Sequence, residues 1–246
     1  MTFRSTNSRK HGFSLVELLA VIAIIAVMAA IIGVSLPDNS SANLKSGQSA
    51  AIGMFQAART VASMRRTEAR VIIYADSDTS EPDAEKKFLR YMGVVYWGDP
   101  DEDGTYDWVA ANSGVYLPAG VYYIPDGSVP GLVSAEGDAS NGEILTSSDI
   151  PAVMQASFPV STGDENDWYY YSFDGSGSAR TDSNVPGSFH NFAGEAVVFA
   201  AGRVEPSGTS LQVLIKNPFL TNGFVIRRFG GVLNMEEYDQ VQSATN

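Results

Sequence analysis

An apolar run near the N-terminus limits the folds that this chain can adopt more than any other feature of its sequence. It extends from Phe13 to Leu36, and Glu17 is the only ionisable residue within it. As a helix rising about 1.5 Å per residue, this run would be about 36 Å long, which exceeds the roughly 30 Å of hydrocarbon in a bilayer. The sequence therefore predicts a transmembrane helix over residues 13–36.

The charges on the two sides of the run predict its orientation. Arg4, Arg9 and Lys10 precede the run, whereas every acidic residue lies at or beyond Glu17. Because basic flanks stay in the cytoplasm, we expect a cytoplasmic N-terminus, a single pass and a body on the other side. A secretory signal peptide is the alternative, but its apolar core is about 7–15 residues long and ends at a small-residue cleavage site. The run here is longer and "GVSLPDNSSA" offers no convincing site of that kind.

Glu17 needs an explanation of its own. A carboxylate in a membrane span costs about 2.5–3.5 kcal/mol at the bilayer centre and less near the interface, where it can reach water. A glutamate tolerated at the interface is therefore one interpretation. An uncleaved signal anchor fits the length of the run but gives no further reason for Glu17.

The stretch "KHGFSLVELL" resembles the type III signal of type IV prepilins and type II secretion pseudopilins. It has a basic leader, Gly12 before the cut, Phe13 after it and Glu17 as the fifth residue of the mature chain. The resemblance implies that a prepilin peptidase cleaves between Gly12 and Phe13 and N-methylates Phe13. It also implies that Glu17 pairs with the N-terminal ammonium of a neighbouring subunit, because opposite charges attract strongly in a low dielectric.

The remaining pattern predicts an α+β fold. Residues 38–48 are polar and predict a linker or a loose helix, and apolar residues at spacings of three and four over residues 49–66 predict an amphipathic helix. Short β-like runs separated by turn residues follow from Glu68 onward. We expect a long N-terminal transmembrane and amphipathic helix packed on an antiparallel β-rich head, as in a pilin-like fold. The predicted segments are a leader (1–12), a transmembrane helix (13–36), a linker and amphipathic helix (37–67) and an exported head (68–246).

A second resemblance narrows the family. "FQAARTVASMRRTEARVIIY" is similar to the GspH/FimT type of minor pseudopilin, in which a helix of the pattern ARxxAxxRxxxV continues into the first strand. Arg59, Ala62, Arg66 and Val71 lie close to that pattern, and "YYSFDGSGSA" resembles the F-x-x-x-G turn of the same family. The resemblance implies a minor subunit of a filament.

One acidic stretch is a candidate metal site. In "GDPDEDGTYDW" the alternating aspartates and the following glycine copy the oxygen ligands and turn of a calcium loop: Asp99, Asp101, Asp103 and Asp107. Ala110 stands where a bidentate acid is expected at the end of such a loop. The alternatives are a Ca²⁺ site and a solvated acidic turn, and we expect no other cofactor.

Composition excludes several functions. The chain has no cysteine, so disulfides, thiolate metal sites and cysteine nucleophiles are excluded, and a Ser-His-Asp triad would depend on His190 alone. The net charge of −12 disfavours binding to nucleic acid, although arginines cluster near residues 59–70 and at 227–228. We expect no enzymatic activity.

These observations predict a minor pseudopilin of a type II secretion pseudopilus. Its expected partners are the prepilin peptidase, other pseudopilins and an inner-membrane assembly platform. It would sit in the inner membrane with a cytoplasmic N-terminus and a periplasmic head, and then enter the filament. The alternatives are a minor type IV pilin for adhesion, motility or DNA uptake, and a membrane-tethered binding module or enzyme with a plain signal anchor.

Overall fold

The chain divides into two compact units, Met1–Asn39 and Ser40–Asn246. The computed structural model describes residues 15–16, 18–22, 39–100, 102–125, 132–134, 147, 152–160, 165–182, 189–190, 195–215, 217–237, 239–240 and 243. In the first unit the described residues are helical, and their apolar side chains are exposed. No helix among the described residues combines the length and the apolar character that a membrane span requires.

Two helices and fourteen strands are defined among the described residues of the second unit. In chain order they are α1 (Ser40–Arg65), β1 (Ala69–Tyr74), α2 (Ala84–Lys87), β2 (Tyr91–Gly98), β3 (Asp107–Ala110), β4 (Val115–Tyr116), β5 (Val121–Ile124), β6 (Leu132–Ser134), β7 (Ala152–Ala156), β8 (Asn166–Phe173), β9 (Ala179–Asp182), β10 (Phe189–His190), β11 (Glu195–Ser207), β12 (Ser210–Ile215), β13 (Thr221–Ile226) and β14 (Val232–Met235).

Helix α1 is amphipathic, as the residue spacing predicts. Its buried positions recur every three or four residues and form one stripe: Leu44, Gly47, Gln48, Ala51, Met54, Phe55, Ala58 and Ala62. The helix begins at Ser40, within the stretch interpreted as a linker or loose helix, and Arg66 follows its last residue with a left-handed φ of 54°. The chain therefore turns sharply from α1 into β1.

The strands form two sheets. The larger sheet has the order β10-β9-β8-β1-β2-β3, with β4 also paired to β2 and β7 to β8. The smaller sheet has the order β14-β13-β11-β12-β6, with β5 also paired to β11. The β12–β6 pair is parallel, and the other pairs of the described strands are antiparallel.

Phe55 of α1 joins the helix to both sheets. Its ring centroid lies 5.2 Å from that of Tyr171 in the larger sheet and 5.0 Å from that of Phe224 in the smaller one. A second cluster covers the opposite face of the larger sheet, where Trp168 packs edge-on against Tyr74 at 5.2 Å. Both faces of β8 are therefore buried. The predicted α+β class is confirmed.

Candidate functional site

The residues predicted for processing and assembly, Gly12, Phe13 and Glu17, lie outside the described residues. Their neighbours at 15–16 and 18–22 form helix with exposed aliphatic side chains. Because exposed apolar area of this kind is stabilised by removal from water, this helix needs an apolar surrounding.

The acidic stretch forms a turn between β2 and β3. The Asp99 carboxylate accepts hydrogen bonds from the backbone N–H of Asp103 at 3.2 Å and of Gly104 at 2.8 Å. The Asp103 carboxylate accepts one from the N–H of Thr105 at 2.7 Å, and that of Asp107 accepts one from the N–H of Trp108 at 2.7 Å. The aspartate spacing thus has a structural role, because it satisfies the backbone donors of the turn.

Asp101, the remaining one of the four predicted calcium ligands, lies outside the described residues. Among the residues that are described, no three acidic or histidine side chains are grouped so that they could hold a metal ion. Calcium binding by this turn stays a prediction.

A cleft of about 370 Å³ lies where the C-terminal end of α1 meets the end of β2 and the acidic turn. We call it the aromatic cleft, and the lining residues that matter below are Arg65, Arg66, Tyr96, Trp97, Asp99 and Tyr106. Trp97 is 39% exposed and Tyr106 is 57% exposed, although both are large aromatic residues. Sequence analysis did not find this site, although the aromatic residues at 97, 106 and 108 on both sides of the acidic turn could have indicated it.

The cleft is attached to the end of α1 by backbone contacts. The Thr67 hydroxyl donates a hydrogen bond to the carbonyl of Trp97 at 2.8 Å, and the N–H of Trp97 donates one to the carbonyl of Glu68 at 2.9 Å. The Arg65 guanidinium lies 3.8 Å from the centre of the Tyr96 ring. These contacts hold the aromatic end of β2 against the two arginines.

An ion-pair network lies next to the cleft, in the larger sheet. The Glu68 carboxylate accepts hydrogen bonds from the Arg70 guanidinium at 2.7 Å and from the Ser172 hydroxyl. The same guanidinium lies 4.0 Å from the centre of one Trp108 ring and 3.9 Å from the centre of the Tyr170 ring. Of the arginines in the first basic cluster, Arg70 is thus engaged in the interior of the fold.

The turn from β8 to β9 packs on α1. The Asp174 carboxylate accepts hydrogen bonds from the N–H groups of Ser176 at 2.8 Å and Ser178 at 3.1 Å, and it pairs with Arg180 at 2.9 Å. Partial burial acts to raise the pKa of Asp174, but the hydrogen bonds from Ser176 and Ser178 and the charge of Arg180 outweigh it and lower that pKa. Gly177, the glycine of the resembled F-x-x-x-G turn, has φ of 78° and contacts α1 at Arg59 and Ser63.

The comparison with family models decides what the N-terminal segment is. Residues 7–33 match the family described as "Prokaryotic N-terminal methylation motif". This chain carries the N-terminal motif of the type IV prepilin and pseudopilin superfamily. The match includes Gly12, Phe13 and Glu17, so the prepilin resemblance is confirmed. The prepilin motif implies processing by a prepilin peptidase and assembly with other pilins.

The comparisons that include the head give less information about the family of the chain. No curated protein matches the chain. Among solved structures, the type IV minor pilin FimU of Pseudomonas aeruginosa strain PAO1 is similar over 80% of this chain and 92% of its own, with 12% identity and a TM-score of 0.34. A TM-score of this size supports no argument, and the similarity to prepilins rests on the motif at residues 7–33.

Proposed function

We propose that this prepilin-motif protein is a non-enzymatic filament subunit, namely a minor pseudopilin of a type II secretion apparatus. The observation that carries the proposal is the methylation motif over residues 7–33, in which a glycine, an aromatic residue and a glutamate coincide with an apolar run. The proposal also accounts for the exposed aliphatic side chains of the helical residues 15–16 and 18–22.

In this proposal the apolar helix has two successive surroundings. The prepilin peptidase cuts between Gly12 and Phe13 on the cytoplasmic side, and the helix then anchors the subunit in the inner membrane. The assembly platform moves it from lipid into the filament core, where the Glu17 carboxylate faces the N-terminal ammonium of a neighbour. Each charge offsets the other's desolvation, so the pair sets the axial register of the subunits.

The minor pseudopilin form of the proposal is supported by the similarity of residues 55–74 to GspH/FimT pseudopilins. In the structure α1 continues into β1 after a turn of three residues, Arg66, Thr67 and Glu68. The passage from helix to strand that the resemblance implies agrees with this order, with Arg59 and Ala62 on the helix and Val71 on the strand. A minor type IV pilin would share all these features and differ in the process that its loss impairs.

The processing step provides the direct test. Intact-mass and N-terminal analysis of protein extracted from membranes should show a chain that begins at N-methylated Phe13. The same protein from cells without the peptidase should begin at Met1, and a Gly12→Leu variant should do so in cells with the peptidase. A wild-type chain that still begins at Met1 in cells with an active prepilin peptidase would contradict the proposal.

A further inference from the structure

The aromatic cleft exposes flat ring surfaces that the fold does not use. The Trp97 and Tyr106 rings are stacked with an interplanar angle of 24° and centroids 6.3 Å apart. Trp108 supports Trp97 from the neighbouring strand, with centroids 5.3 Å apart. The other tryptophan of the described head, Trp168, is 1% exposed. A supported pair of exposed rings is a surface on which another flat apolar face can stack.

The cleft also offers positive charge. Arg65 is fixed on the Tyr96 ring, and Arg66 is exposed at the rim. Neither arginine forms an ion pair with a carboxylate of the described residues, in contrast to Arg70 and Arg180. Two guanidinium groups beside exposed rings provide N–H donors for a carboxylate.

The walls of the cleft are held in place by the fold. Arg66 has a left-handed φ of 54°, and the N–H of the next residue, Thr67, donates to the carbonyl of Ala62 at 3.3 Å. The backbone of Arg66 also lies against Gly175, where an added Cβ would be 2.8 Å from the arginine carbonyl carbon. Asp99 is fixed by the N–H groups of the acidic turn. A site with fixed walls loses little conformational entropy when a ligand binds.

We propose that the aromatic cleft binds a sugar ring that bears a carboxylate, within an oligosaccharide. The apolar C–H face of the ring would stack on Trp97 and Tyr106, and its carboxylate would accept hydrogen bonds from Arg66 and Arg65. A volume of about 370 Å³ lies near the lower end of the range of roughly 300–1,000 Å³ for small-ligand pockets, so the cleft takes one or two rings. This binding activity goes beyond filament assembly and does not depend on it.

The surroundings of the cleft disfavour nucleic acid as the occupant. A nucleic acid needs basic side chains along several phosphates, and its affinity comes largely from those contacts. Here the exposed Glu102, Asp103 and Asp107 lie on the turn beside the cleft, and the chain as a whole has a net charge of −12. A single carboxylate reaches the two arginines without placing further negative charge against this turn.

Titration of the full chain with a trisaccharide that bears one carboxylate, glucuronosyl-maltose, tests the proposal, because it differs from maltotriose only in the terminal uronate. The processed protein would be held in a zwitterionic detergent without a sugar head group, and binding would be followed by tryptophan fluorescence and by calorimetry. We expect saturable binding that is at least about tenfold tighter than that of maltotriose, a neutral trisaccharide, because the charge-assisted hydrogen bonds to the carboxylate are lost.

Three substitutions assign the binding to this cleft. Trp97→Ala, Tyr106→Ala and Arg66→Ala should each weaken glucuronosyl-maltose binding by about tenfold or more, since each removes a stacking face or the rim cation. Phe229→Ala and Arg203→Ala are matched controls, because Phe229 is 76% exposed outside the cleft and Arg203 has its own exposed ion pair with Glu205. Both should bind as the wild type does. Cooperative urea unfolding followed by far-ultraviolet circular dichroism, which reports secondary structure and not the replaced rings, verifies that each variant is folded.

Three results would overturn the proposal. They are the absence of saturable binding to wild-type protein, equal binding by wild type and the three cleft variants, and equal affinity for the neutral trisaccharide. Saturable binding of a dT oligonucleotide that the cleft substitutions abolish, without sugar binding, would show a nucleic-acid site instead. The processing of Gly12–Phe13 is measured separately, so each proposal can fail without the other.

Discussion

At the scale of single residues, Arg70 has the most unusual position in the head. Its side chain is 12% exposed, and it pairs with Glu68, whose side chain is 35% exposed. The guanidinium lies over the rings of both Trp108 and Tyr170, and the Ser172 hydroxyl completes the carboxylate's hydrogen bonds. A charge removed from water in this way is stabilising only while its partners stay in place.

We therefore expect Arg70→Ala to lower the free energy of unfolding by about 2–4 kcal/mol, because the ring contacts and the pairing charge are lost together. Glu68→Gln should cost less, about 1 kcal/mol, since this carboxylate is partly hydrated and screened. Urea unfolding followed by tryptophan fluorescence measures both. Arg203→Ala is the control, because its ion pair with Glu205 is exposed and should contribute less than about 0.5 kcal/mol. Equal losses for Arg70→Ala and Arg203→Ala would contradict this account.

At the scale of elements, Gly177 shows why the turn between β8 and β9 fits against α1. Its φ of 78° favours glycine, and an added Cβ would lie 3.2 Å from Cγ of Arg59 and against the hydroxyl of Ser63. Gly208, in the hairpin between β11 and β12, also has a positive φ, 66°, but nothing lies within 4 Å of its Cβ position. A comparison of alanine substitutions at the two glycines therefore distinguishes the energetic cost of backbone strain from the cost of a steric clash with α1.

Gly208→Ala should lower the free energy of unfolding by about 1 kcal/mol, which is the cost of a left-handed conformation for a residue with a Cβ. Gly177→Ala should cost at least about 1 kcal/mol more, because the turn must also move away from α1. Chemical denaturation of the two variants, side by side, measures the difference. An equal loss of stability in the two variants would mean that the turn and the helix can move apart to accommodate the added Cβ at little energetic cost.

The elements also show what the sequence could predict. The amphipathic spacing of α1 and the short β-like runs after Glu68 are local patterns, so the helix and the β-rich character of the head were predictable. Gln48 lies at the end of the stretch predicted to be a linker or a loose helix, and its hydrogen bond to the Met235 carbonyl at 3.0 Å joins positions far apart in the sequence. The aromatic cleft forms for the same nonlocal reason, because the pairing of Ala69 with Tyr96 brings the end of β2 to the end of α1. No local pattern specifies such pairings.

At the scale of the whole molecule, the chain combines two parts with opposite solvent requirements. The head buries its own apolar surface in one main core built from α1 and both sheets. The described helical residues of the N-terminal unit leave their aliphatic side chains exposed. The head covers its own apolar core, whereas the helix needs an apolar surrounding. This difference suits a subunit that assembles, because only the helix must change its surroundings during assembly.

The proposed pairing of Glu17 with a neighbouring subunit is tested by replacing the charge of its side chain. Glu17→Ala should leave cleavage at Gly12 intact, because the peptidase acts on the monomer, and should reduce the subunit's recovery in sheared filaments by about tenfold or more. Glu17→Gln keeps the shape and removes the charge, so it should show the same defect. The head forms a compact unit of its own, so its unfolding should be unchanged in both variants. A loss of protein export in the same cells would favour the secretion role, and a loss of surface pili the pilus role. If either variant is recovered in filaments as efficiently as the wild type, the charge of Glu17 does not set the register of the subunits. That result would contradict this role even if Phe13 is the first residue of the mature chain.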